Sequence, residues 1–148
     1  MTLYHYTSRA AWQLIQQDGF IRPTESNIGS ARPDWPPMGD RVGPDVVWLT
    51  DQPAPNARAL ALQKPPAHVL AALEAQGNRA RWEPKTQVRI RLDLQDGEAE
   101  PWRTFCTRHG IHRQWRRALE RGRAPATWYV LPRSVALDEI VDATILDA

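Results

Sequence analysis

Residues 2–24 read TLYHYTSRAAWQLIQQDGFIRPT, and three elements follow from them in turn. Leu3, Tyr4 and Tyr6 surround His5 in an apolar-leaning run that predicts a strand over 2–6. Ser8 offers an N-cap hydroxyl to a helix carrying Ala11, Trp12 and Ile15 on one side, and Gly19 provides its stop. Phe20-Ile21 then predicts a short strand that Pro23 ends. A polar His-Tyr-Thr trio at this place has two explanations. It is either a plain strand leading into a capped helix, or it sets His5 and Thr7 at the mouth of a nucleotide pocket.

Residues 24–44 are rich in Pro, Gly, Asp, Ser and Arg and carry no periodicity. Loops of this length inside compact domains are usually functional or disordered, so this one is expected at the surface, bordering the cleft beside His5. VVWLT (46–50) is a continuous apolar run, as in a buried strand, and Pro53 and Pro55 stop it. Residues 56–63 and 66–76 predict helices, the second ended by Gly77. In TQVRIRLDL (86–94), Val88, Ile90, Leu92 and Leu94 alternate with Arg89, Arg91 and Asp93, which predicts a half-buried strand. Helical patches near 101–108 and 112–121 and strands at 127–131 and 139–146 complete the chain. The expectation is one α+β domain spanning 1–148.

Composition bounds the rest. A chain of 148 residues is about one domain and can bury a substantial core. Its single cysteine, Cys106, excludes an intramolecular disulfide and suits a reducing compartment. No signal-peptide pattern precedes the first strand, and no apolar run reaches the roughly 18 residues of a membrane span, so a cytoplasmic protein is expected. Arginine outnumbers lysine 17 to 2, which composition alone could explain.

Metal and thiol chemistry have little support. His109 and His112 stand three apart with no third ligand in view, which is weak for zinc. Cys106 and His109 could form a thiol–base pair, but no orienting group accompanies them. Residues 103–123 hold seven Arg and one Glu. The favoured reading is an amphipathic helix with a solvated polar face; the alternative is a nucleic-acid surface.

LYHYTS with its helix ending in DGFIRPT, then VVWLTDQP, then a late pair of strands, resembles in order the ADP-ribosyltransferase-like superfamily. Rifamycin ADP-ribosyltransferases, tRNA 2′-phosphotransferases and DNA-targeting ADP-ribosyltransferase toxins share this layout. The resemblance implies a split-sheet fold, NAD as cofactor and ADP-ribosyl transfer to a small molecule, protein or nucleic acid. By it His5 and Thr7 match the first motif, and Trp48 and Thr50 the second. His5 would then donate to the adenosine ribose, while Trp48 or Tyr6 stacks on the nicotinamide. Many members place a Glu at the head of the penultimate strand, where this chain has Ala126, Thr127 or Trp128. Asp51 is the best substitute acid. Phosphotransferase-like chemistry without the Glu, or a nucleotide- or nucleic-acid-binding module without turnover, are the alternatives.

Overall fold

The structure, a computed structural model, describes residues 1–23, 45–62, 64, 67–68, 71, 83–111 and 113–146. The expected 24–44 loop, most of the expected 66–76 helix with its Gly77 stop, and His112 lie outside these residues. The architecture is mixed α+β. In chain order, strand β1 is Thr2–Thr7, helix α1 Arg9–Asp18, β2 Phe20–Ile21, β3 Val47–Thr50 and β4 Val88–Asp93. β5 is Glu100–Pro101, α2 Trp102–His109, α3 Arg113–Glu120, β6 Trp128–Leu131, β7 Val135–Ala136 and β8 Ile140–Ile145. Six strands form an antiparallel sheet in the order β5-β6-β3-β1-β4-β8, and β2 pairs separately with β7.

The first turn of α1 forms as the sequence implies. The Ser8 hydroxyl accepts from the Ala11 amide at 3.1 Å, and Gly19 closes the helix at φ 90°, a conformation that costs glycine nothing. The alternation in β4 is also realised: Val88, Ile90 and Leu92 are fully buried. One expected helix fails. Over 56–62 the chain makes turns instead, with Leu62 N bonded five residues back to Ala57 O and Ala61 at φ 58°. Pro53 and Pro55 leave this segment too short to propagate a helix, and contacts with the rest of the fold set its path.

Residues directly opposite in an antiparallel pair share a face. His5 is opposite Ile90, Leu3 opposite Leu92 and Thr7 opposite Val88, so these side chains stand on the face covered by Ile15 of α1, Ile21 and Val135. Tyr4 is opposite Thr50, Trp48 opposite Val130 and Thr50 opposite Trp128, so these stand on the other face. There Trp102, Phe105 and Cys106 of α2 pack against Val130 and Trp128. The sheet therefore separates two cores, and the candidate site lies at the seam between its two central strands.

Candidate functional site

That seam is poorly paired. β1 matches β4 at six positions but β3 at one, Tyr4 with Thr50. Beyond that pair side chains take over the bridging. His5 Nδ1 lies 2.8 Å from the Trp48 carbonyl oxygen, and the Tyr6 hydroxyl donates to the Gln52 carbonyl at 2.8 Å. A carbonyl can only accept, so His5 Nδ1 must carry the proton. Burial lowers the His5 pKa, opposed by the Trp48 bond and reinforced by the nearby Lys85 charge. The ring is thus neutral, with Nε2 left as an acceptor. This corrects one expectation: toward a ribose, His5 offers a lone pair, not a hydrogen.

A cavity of about 500 Å³ opens around the seam, lined by β1 residues 4–7, β3 residues 47–50, α1, β2 and the 60–62 turn. Small-molecule sites fall in this size range. Trp48 forms part of its wall and is only partly buried. Behind it stand Trp102, with ring centroids 4.8 Å apart, and Trp128, edge-on at 6.3 Å. Trp48 is therefore both a core indole and an open aromatic surface. Tyr6 also lines the cavity, but its hydroxyl is committed to Gln52, and burial pushes its pKa up to about 12. Tyr6 fixes the width of the seam more than it offers a free polar group.

The two threonines differ. Thr50 Oγ1 accepts from the Gln52 amide at 3.2 Å and shapes the turn after β3. Thr7 is nearly buried, lines the cavity, and its hydroxyl meets no hydrogen-bonding partner among the described residues. Asp51 is not brought to the site. It is exposed, its carboxylate accepts from Gln52 Nε2 at 2.8 Å, and it takes no place in the described lining. The strand has ended by this point, so the alternation that aims Trp48 and Thr50 no longer applies. Glu139 is engaged elsewhere, paired with Arg133 at 2.9 Å and accepting from the Ala136 amide. Of the described cavity residues only Asp18 is a carboxylate, and Arg22 holds it at 3.3 Å.

Sequence reasoning missed Lys85, which also lines the cavity. Its signal was its rarity: one of two lysines in an arginine-rich chain. Cys106 is buried, and burial raises its thiol pKa to about 12, so it is no nucleophile. Among the described residues no group of three His, Cys, Asp or Glu could hold a metal, and no helix is long and apolar enough to cross a membrane.

The basic segment divides by pairing. Arg103 and Arg116 meet Glu120, Arg108 meets Glu100, and Arg123 donates to the Leu119 carbonyl. Arg113, Arg117 and Arg121 are exposed and take no carboxylate among the described residues. They recur every fourth residue, a rise of about 6 Å per step along a helix. No protein-family model, curated protein or solved structure matches this chain.

Proposed function

We propose that the chain binds NAD in the cavity at the β1/β3 seam and transfers ADP-ribose from it to an acceptor. The observation that carries this reading is the His5 ring. It replaces a backbone partner for the Trp48 carbonyl and leaves Nε2 as an acceptor in the cavity that Trp48 also lines. A ribose hydroxyl donates to Nε2, the Thr7 hydroxyl supplies a second polar contact, and the Trp48 ring stacks on a planar base. NAD supplies a glycosidic bond whose cleavage releases nicotinamide. With Asp18 held by Arg22 and Asp51 facing solvent, the chain's own contribution is binding, orientation and exclusion of water. This donor set also suits phosphotransferase-like chemistry that needs no carboxylate.

The test is a titration with NAD, followed through the chain's tryptophan fluorescence, with nicotinamide release measured chromatographically. Saturable binding with release is the expected result. Binding without release reduces the protein to a nucleotide-binding module. Absence of binding at millimolar NAD overturns the reading.

A second reading concerns the acceptor, and the unpaired Arg113, Arg117 and Arg121 favour it: the acceptor is a nucleic acid held by this stripe. Three phosphate contacts give a slope of roughly −2 to −3 in log affinity against log salt. Reversing the charge of Arg113 and Arg117 is expected to weaken binding of all sequences about equally, measured by fluorescence anisotropy of a labelled oligonucleotide. If no binding is detected at low salt, the stripe is a solvated helix face and nothing more.

A further inference from the structure

Lys85 sits on the exposed turn leading into β4, yet it lines the cavity. Its ammonium is crowded enough by protein that desolvation lowers its pKa, and its charge disfavours protonation of His5. The residue as a whole is exposed on this turn, and the crowding is felt at its charge. Among the described residues lining the cavity, no free carboxylate answers it. β1 contributes His5 and the phenols Tyr4 and Tyr6, α1 contributes Asp18, already held by Arg22, and β3 contributes no ionisable side chain. A crowded cation without a carboxylate partner is costly unless something else neutralises it.

We propose that Lys85 is the seat for a phosphate or diphosphate group of the cavity's ligand. The proposal deepens the nucleotide reading above and rests on the same cavity. The anion pairs with Lys85 Nζ while the ring of the ligand lies against Trp48, so one cavity holds a planar apolar part and a charged part.

The experiment is isothermal titration of the full chain with ADP, adenosine and inorganic pyrophosphate. The parent, Lys85→Met and Lys85→Arg are compared. The parent is expected to bind ADP about tenfold or more tightly than adenosine. Lys85→Met is expected to reduce ADP to the affinity of adenosine and to leave adenosine unchanged. Lys85→Arg is expected to keep the preference for ADP. Pyrophosphate that binds in a Lys85-dependent way while ADP, adenosine and NAD do not would keep the anion seat and remove the nucleotide. Equal affinity of the parent for ADP and adenosine, an ADP preference that survives Lys85→Met, or no binding of any of the three overturns the proposal. The preference within the parent decides the matter even if a variant fails to fold.

Discussion

Trp102→Ala is expected to destabilise the protein by about 3–5 kcal/mol, while Trp102→Phe is expected to cost little. Trp102 is 1% exposed and sits between Trp48 and Phe105, so truncation to alanine opens a cavity in the α2 core. Its indole nitrogen, however, is buried and meets no hydrogen-bond partner among the described residues. Removing a donor left unsatisfied in this way recovers roughly 1–3 kcal/mol, which offsets much of the volume lost to phenylalanine. Trp128 makes the contrast. It is also buried, but its Nε1 donates to the Ala59 carbonyl at 2.9 Å, so Trp128→Phe loses both volume and a bond. The order expected from urea denaturation is Trp102→Ala, then Trp128→Phe, then Trp102→Phe, the last nearest the parent. A Trp102→Phe variant less stable than Trp128→Phe would mean that the Trp102 nitrogen is satisfied.

Substitutions at His5 separate its two nitrogens. The amide nitrogen of asparagine occupies nearly the position of Nδ1, whereas that of glutamine reaches that of Nε2. His5→Asn is expected to keep the donation to the Trp48 carbonyl and the parent's stability within about 1 kcal/mol. It withdraws the acceptor from the cavity, and nucleotide affinity is expected to fall several-fold to about tenfold. His5→Ala leaves that carbonyl without its partner at the seam and is expected to cost roughly 1–3 kcal/mol, more than a residue at a simple cleft mouth would.

The pH dependence has a defined sign. The folded pKa of His5 is lowered, so below about pH 6.5 the unfolded chain binds a proton that the folded chain refuses. Stability from this residue is complete above that pH and declines as pH falls toward the folded value. His5→Asn has no titrating ring and is expected to flatten this part of the profile. An unchanged acid slope would place the effect in another group.

Elements defined by local chemistry were readable in the sequence. β1, β4 and α1 were of this kind, because the apolar-leaning run of β1, the period-2 burial of β4, the Ser8 cap and the Gly19 stop act within a few residues. The missed strands β5 and β7 are two residues each and exist through partners, β7 by pairing Val135 with Ile21 and β5 by pairing Glu100 with Val130. A two-residue strand has no periodicity to detect. The site divides in the same way. His5, Thr7 and Trp48 could be named from their motifs, and all three line the cavity. The hydrogen bond from His5 to the Trp48 backbone spans 43 residues, and the approach of Lys85 to His5 spans more. Asp51 was placed by its nearness in sequence to Trp48, and one residue past a strand end is enough to turn a side chain away.

The position of β1 in the sheet has a consequence for how the protein is made. β1 leaves the ribosome well before β4, yet β4 is its fully paired neighbour, with Thr2 opposite Asp93 and Thr7 opposite Val88. The emerging N-terminal half, including VWLT, can offer β1 a single matched position. The apolar side of this strand, with Leu3 fully buried in the finished fold, must therefore wait until residues near 93 have been synthesised and cleared the exit tunnel. At about 5–20 residues per second that delay is several seconds or more, and closing so long a loop is slow in itself. During this interval the TLYHYT segment is a candidate for chaperone contact, and truncated chains ending before β4 are expected to expose it permanently.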